Sequence, residues 1–256
     1  MVKSNMEVVK LGLILTIGII GVFIIFGFII EELNKLSRNA VYRAFGTPAL
    51  YLTSFIGTPV HEFGHYIMCK IFLHKVVEVK WFIPSAVKNG GVLGYVKHGR
   101  TNSIYQKVGD FFIGIGPLIV GSIIVILLSR YLIPSTFNTI LTMEHLNIKE
   151  VVVSIFSTDN LKNYKFWIFI ILAVSICSHM SLSAPDVKNS YFGATALLVI
   201  NMIFAYYIVA TKMDLTVIKK FLYNYNLTCI ILMSIALLII LLTLIISTIA
   251  ASIRRA

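Results

Sequence analysis

Long apolar runs alternate with short polar stretches along most of this 256-residue chain. About 20 consecutive apolar residues are enough for a helix to cross the roughly 30 Å hydrocarbon core of a bilayer. Two of the runs, Leu11 to Ile30 and Cys229 to Ala250, contain no charged residue. The pattern predicts about six transmembrane helices, over residues 11–30, 48–73, 111–133, 166–184, 191–211 and 229–250.

The polar stretch over residues 74–110 has a different period. Apolar residues take every second position from Val77 to Ile83, as they do along one face of a β-strand. Asn89-Gly90-Gly91 supplies turn residues, and Val92 to Val96 follows as a second apolar stretch. The sequence predicts a short membrane-associated β-hairpin whose free edge can bind an extended peptide. A solvated loop hairpin with no role in substrate binding is the alternative.

Composition agrees with a membrane protein. The chain is 58% hydrophobic and 13% charged. In soluble domains, about 45–50% of residues are apolar and about 25% are charged. No repeat or linker divides it, and the polar segments 74–110 and 131–165 are shorter than the roughly 50 residues of the smallest ordinary domains. We therefore predict an all-α polytopic membrane protein in which residues 1–256 form a single domain.

The net charge of +11 comes from basic residues scattered over short loops. No soluble domain gathers them into a patch, so a lipid bilayer is the expected partner and nucleic acid is not. With six spans, the side that holds both termini carries 12 of the 22 Lys and Arg. Because cytoplasmic loops are enriched in these residues, both termini are predicted to be cytoplasmic.

The first apolar run follows Lys3 and Lys10, as the apolar region of a signal peptide would. It is longer than the apolar region of a signal peptide, which is usually about 7–15 residues, and Glu31-Glu32-Leu33 stands where a small-residue cleavage site is required. We therefore predict a retained helix. A six-span chain without a targeting segment fits a bacterial plasma membrane.

An HExxH motif, His61-Glu62-Phe63-Gly64-His65, lies within the second apolar run. On a helix, the two histidines fall on one face and can bind one Zn²⁺, while the adjacent glutamate can act as a general base. Polar side chains at membrane depth are costly unless a metal, a wet cavity or a partner satisfies them. The motif predicts one zinc ion per chain. A chance match, or a degenerate site that no longer binds metal, is the alternative.

A catalytic zinc usually has a third protein ligand. The remaining candidates at membrane depth lie at the end of the fourth predicted span, where Asp186 follows Pro185. Since proline disrupts a helix and lets the chain turn inward, Asp186 is the predicted third ligand. A helix-end carboxylate at the membrane surface is the alternative for this residue.

His179 lies seven residues before Asp186 and would share its face on a continuous helix. It is therefore an alternative ligand, a residue that supports the ligands, or a hydrogen-bond donor to substrate. A polar residue satisfied by a neighbouring helix is the simpler interpretation.

Four blocks together resemble the site-2 protease family of intramembrane zinc metalloproteases. They are the HExxH motif, Gly94-Tyr95-Val96-Lys97 in the hairpin, Gly116-Pro117 in the next span, and Asp186. The family's third-ligand segment commonly reads Asn-x-x-Pro-x-x-x-Leu-Asp-Gly, whereas Ser178 stands at the Asn position here and Val187 follows Asp186. The 131–165 segment is also too short for a PDZ domain. The chain looks like a compact, divergent member.

This resemblance implies a catalytic core over about 48–190, with about 11–30, 191–211 and 229–250 as additional helices. It implies hydrolysis of peptide bonds in or near the transmembrane segments of membrane proteins, with a substrate helix as partner. Zn²⁺ would be held by His61, His65 and Asp186, with Glu62 as the catalytic base. Residues that contact substrate or support the ligands would include His179, Ser178, Gly94 and Tyr95.

Two other functions compete with this one. A non-catalytic zinc-binding membrane protein that binds partner helices would keep the same ligands. A metal transporter is disfavoured, because the sequence contains one compact ligand cluster and no chain of carboxylates or histidines across the bilayer.

Overall fold

The computed structural model of the chain describes residues 2–142 and 148–254. The described part is mostly helical and contains one two-stranded antiparallel sheet, which confirms the helical membrane-protein class and the hairpin. The elements in chain order are α1 (Val2–Ile71), β1 (Lys75–Lys80), α2 (Pro84–Asn89), β2 (Tyr95–Gly99), α3 (Ile104–Leu132), α4 (Pro134–Thr142), α5 (Ile148–Ile155), α6 (Thr158–Lys162), α7 (Tyr164–Cys177), α8 (Ala184–Thr211) and α9 (Thr216–Ile253).

Four helices in the described residues, α1, α3, α8 and α9, are long and apolar enough to cross a membrane, which differs from the six helices predicted. The predicted spans 11–30 and 48–73 both lie in α1. The span predicted at 166–184 corresponds to α7, which has only 14 residues. At 1.5 Å per residue α7 is about 21 Å long, shorter than the hydrocarbon core.

Helix α1 is interrupted at Gly46, whose backbone angles are φ 73° and ψ −168°. This combination is essentially restricted to glycine, because a Cβ would clash with the backbone. Gly46 therefore divides α1 into an N-terminal arm, residues 2–45, and a C-terminal arm, residues 47–71.

The two arms of α1 meet the same loop. Asn34 on the N-terminal arm donates a hydrogen bond to the carbonyl of Cys177, at 3.0 Å. Ser54 on the C-terminal arm lies with its Oγ 3.3 Å from Nε2 of His179. On a straight helix Asn34 and Ser54 would be about 30 Å apart. The arms therefore fold back on each other at Gly46 and enclose the loop after α7.

That loop, residues 178–183, separates α7 from α8. Asn34 donates to the carbonyl of Cys177, the last residue of α7. Pro185 lies in the first turn of α8, where its missing N–H leaves no helical bond unmade. The prediction that His179 and Asp186 share one helical face is wrong, because the chain between them is not helical. Asp186 lies instead in the first turn of α8.

Strands β1 and β2 pair from Lys75 opposite Gly99 to Lys80 opposite Tyr95. The connection between them is longer than a tight turn, because it contains α2 before the positive-φ residues Gly90 and Gly91. The second strand accordingly begins at Tyr95, three residues later than the start of the predicted apolar stretch.

The hairpin lies alongside the C-terminal arm of α1. The ring of Trp81 packs against that of Tyr66 with centroids 5.6 Å apart, and the hydroxyl of Tyr51 donates to the carbonyl of Pro84 at 2.9 Å. Tyr51 and Tyr66 are separated by about 22 Å of helix. The hairpin and its connection therefore follow a large part of this arm.

Candidate metal centre

The side chains of His61, His65 and Asp186 converge at one point, so that one potential ligand atom from each lies within 4.8 Å of the others. The Nε2 atoms of the two histidines are 3.1 Å apart. Oδ1 of Asp186 is 3.4 Å from Nε2 of His65. Among the described residues this is the only group of three or more His, Cys, Asp and Glu side chains found in such an arrangement.

Hydrogen bonds to backbone carbonyls orient both imidazoles. Nδ1 of His61 lies 2.6 Å from the carbonyl oxygen of His179, and Nδ1 of His65 lies 2.8 Å from that of Ile113. Since a carbonyl oxygen only accepts, each neutral imidazole carries its proton on Nδ1 and presents an unprotonated Nε2. This is the tautomer that metal-binding histidines adopt.

Pro117 explains why the carbonyl of Ile113 is free to accept. In a regular helix the N–H four residues later would donate to this oxygen, but proline has no N–H. The carbonyl is therefore released from the α3 ladder and accepts from His65 instead. The sequence carried this signal, since Pro117 follows Ile113 by four residues, but only the fold identifies the partner.

The same region of α3 packs closely against the HExxH helix. A Cβ on Gly64 would lie 2.7 Å from the backbone nitrogen of Pro117, and one on Gly116 would lie 2.6 Å from the carbonyl oxygen of Gly64. Neither position has space for a side chain. The Gly116-Pro117 pair therefore brings α3 against the HExxH helix, and Pro117 also frees the Ile113 carbonyl that orients His65.

Asp186 uses its two oxygens differently. Its Oδ2 accepts from the backbone N–H and the hydroxyl of Ser183, while Ser183 Oγ accepts from the Asp186 N–H, so the pair forms a capping box at the start of α8. Oδ1 is directed toward His65. The cap fixes the carboxylate while leaving one oxygen available to a metal.

The spacing of the ligand atoms around His65 is close to what a zinc ion requires. Zinc bonds of about 2.0–2.2 Å in tetrahedral geometry separate neighbouring ligand atoms by about 3.3 Å. The two separations at His65, 3.1 Å and 3.4 Å, lie on either side of that value. The third separation, between His61 and Asp186, is within 4.8 Å, so Asp186 would move toward His61 when a metal binds. Two unprotonated nitrogens that face each other are satisfied by a cation, and the donor set therefore suits a metal.

Glu62 is buried and borders a cavity of about 420 Å³ together with His61, His65 and Asp186. Gly94 lies directly over it, because a Cβ at Gly94 would be 2.9 Å from Cγ of Glu62. Glycine at this position therefore allows the hairpin to approach the glutamate. Gly94 and Tyr95 both line the cavity.

Two of the candidate residues lie beside the cluster without joining it. The imidazole of His179 contacts the carbonyl of Ser175 and the hydroxyls of Ser54 and Ser178, so its ring is engaged away from the three ligand atoms. Ser178 donates to the carbonyl of Ser175 and does not line the cavity. His179 instead supports the site through the carbonyl that accepts from His61.

Two titratable groups of the hairpin have lowered pKa values. Hydrogen bonds from Tyr95, at 2.6 Å, and from Lys97, at 2.9 Å, lower the pKa of Glu78 and keep it ionised. Burial and then the neighbouring His74 lower the pKa of His98, which lines the cavity. The hydroxyl of Tyr95 is therefore committed to Glu78, and His98 is neutral at pH 7.

Comparison with known proteins adds no relative to this description. No family model matches the chain, and no curated protein or solved structure matches it. The likeness to site-2 proteases accordingly remains a resemblance carried by four sequence blocks.

Proposed function

We propose that this protein is an intramembrane zinc metalloprotease that hydrolyses peptide bonds in or near the transmembrane segments of other membrane proteins. The observation that carries the proposal is the convergence of His61, His65 and Asp186 beside Glu62. Such a cluster is expensive to maintain among apolar helices unless it binds a metal and acts on a ligand.

Each residue has a definite role in this chemistry. His61 and His65 would hold Zn²⁺ through Nε2, and Asp186 would hold it through Oδ1. Bound there, zinc would acidify a water molecule and polarise the carbonyl of the scissile bond. Glu62 would accept a proton on its carboxylate and return it to the leaving amine.

The hairpin supports the binding of an extended substrate. Residues 91–96 and His98 line the cavity, and β2 has β1 as its only partner strand among the described residues. An unpaired strand edge offers backbone donors and acceptors to an added strand. Since a helical substrate hides its amides in its own hydrogen bonds, strand addition here would stabilise a locally unwound segment.

The proposal also includes the membrane in which the protein lies and its orientation there. The four long apolar helices indicate a membrane protein. We place it in a bacterial plasma membrane with both termini in the cytoplasm. An even number of spans, whether four or six, puts both termini on one side, and the six-span topology gives that side a slight excess of basic residues. The substrate helix would approach through the surrounding lipid.

Removal of the metal tests the proposed chemistry. The purified chain should cleave a labelled transmembrane peptide in detergent, lose this activity with 1,10-phenanthroline, and regain it when Zn²⁺ is restored, because zinc supplies the activated water. Cleavage that persists after zinc has been removed completely would contradict a metalloprotease.

Replacement of Pro117 tests the origin of the His65 hydrogen bond. Pro117→Ala restores an N–H to α3, which then competes with His65 for the carbonyl of Ile113. We expect zinc affinity to fall by about 10–100-fold, as for other supporting hydrogen bonds. Zinc competition with a fluorescent chelator measures the change, and Pro134→Ala, at the start of α4, is the control. Equal affinities in both variants would refute this role for Pro117.

A further inference from the structure

Arg38 lines the cavity that contains the metal cluster, although it comes from the N-terminal arm of α1 and has no part in the chemistry above. It lies one helical turn after Asn34, whose side chain is anchored to the carbonyls of Cys177 and Met180. The fold-back at Gly46 places this turn opposite the HExxH arm. Arg38 therefore borders the cavity from the wall that faces the metal helix.

The guanidinium of Arg38 has no partner among the residues that the structure describes. Three basic groups in the described residues form ion pairs with carboxylates: Lys35 pairs with Glu32 at 2.7 Å, Lys97 with Glu78 at 2.9 Å, and Arg100 with Asp110 at 2.7 Å. A guanidinium carries five N–H donors and is costly to leave unpaired within a membrane domain. Arg38 thus offers a set of donors to whatever enters the cavity.

Charge indicates the chemistry of that ligand. Arg38, Glu62 and Asp186 are the charged side chains that line the cavity. The two carboxylates offset a bound divalent cation, so Arg38 leaves an unbalanced positive charge. A guanidinium fits a carboxylate through two parallel hydrogen bonds, which a lysine cannot reproduce.

We propose that Arg38 binds a carboxylate of the peptide substrate and so selects which peptide bond reaches the metal. This inference rests on the proposed function, because it assumes that a peptide lies in the cavity along β2. The carboxylate is either an acidic side chain at a fixed distance from the scissile bond or the terminus of a previously cut chain. In both cases Arg38 determines specificity and takes no part in bond cleavage.

Peptide binding tests this inference without requiring hydrolysis. The full chain with Glu62→Gln is loaded with zinc in detergent and titrated with fluorescent apolar peptides. In the first series, each peptide has an amidated C-terminus and a single Glu, which is moved to each successive position. The second series carries Gln in place of Glu and is the neutral reference, and the third has a free terminal carboxylate. We expect at least one carboxylate peptide to bind about tenfold more tightly than its neutral counterpart.

Three variants on the same background identify the residue responsible. Arg38→Gln should abolish the preference, and Arg38→Lys should retain part of it as a point charge. Arg43→Gln should leave it intact, because Arg43 lines a separate cavity beside α9. Three results would each overturn the inference. The preference could survive Arg38→Gln, the parent could bind charged and neutral peptides equally, or Arg38→Gln could weaken the binding of both kinds of peptide equally. Absence of hydrolysis in the unmodified chain would refute the proposed function while leaving this comparison valid.

Discussion

Glu62→Gln is expected to reduce hydrolysis by about 10²–10⁴-fold, the usual contribution of a general base. The amide has nearly the same size as the carboxylate but cannot take a proton from water. Because Glu62 is not one of the three converging ligands, zinc should remain bound at the parent's level. The measurement is zinc content by mass spectrometry together with cleavage of a transmembrane peptide.

Glu78→Gln is the matched control for this experiment. Glu78 is a hairpin glutamate whose partners are Tyr95 and Lys97, and it does not line the cavity. It should keep both zinc and activity. Equal cleavage by the parent and by Glu62→Gln would contradict the role of Glu62 as the base. Zinc in both proteins with cleavage in neither would favour the non-catalytic zinc protein over an enzyme, and loss of zinc from Glu62→Gln would show that Glu62 has a structural role.

Asp186→Ala is expected to remove both metal and activity. It deletes one of the three ligand atoms and leaves only two imidazoles, fewer than a catalytic zinc requires. Removing a supporting hydrogen bond lowers zinc affinity by about 10–100-fold, and the loss of affinity in Asp186→Ala should be larger. Equilibrium dialysis against buffered zinc measures it directly.

Two neighbouring substitutions separate ligation from local structure. Ser183→Ala removes the capping hydroxyl but keeps the Asp186 carboxylate and the backbone N–H that donates to it. It should cost about 0.5–2 kcal/mol of stability and weaken zinc binding less than Asp186→Ala does. His179→Ala removes an imidazole but not the backbone carbonyl that orients His61, so most zinc should remain. Zinc lost from His179→Ala and kept by Asp186→Ala would transfer the third ligand to His179.

The apolar pattern located the membrane segments because hydropathy reports burial in lipid directly. It could not locate where helices end or bend, since those features depend on distant partners. Asn34 anchors the end of α7 from 143 residues away in sequence. Gly46 interrupts α1 through its backbone conformation, which a single glycine in the sequence is not enough to predict. Two predicted spans therefore became one bent helix, and a predicted span proved to be a short helix followed by a loop.

The candidate cluster was accessible from sequence because HExxH fixes two positions on one helical turn and few other polar groups lie at membrane depth. The supporting contacts were not accessible. The carbonyl of Ile113 acquires its role only when α3 lies against Gly64. Arg38 was missed because it lies outside the expected core of about 48–190, and only the fold-back of α1 brings it to the cavity.

X-ray absorption at the zinc edge, on the purified unmodified chain, tests the metal centre most directly. We predict one zinc per chain, bound by two imidazole nitrogens at about 2.0–2.1 Å and by oxygen ligands at about 2.0–2.2 Å. A chain without zinc would contradict the assignment to His61, His65 and Asp186. So would sulfur ligands at about 2.3 Å, which would move the metal to Cys69, Cys177 or Cys229.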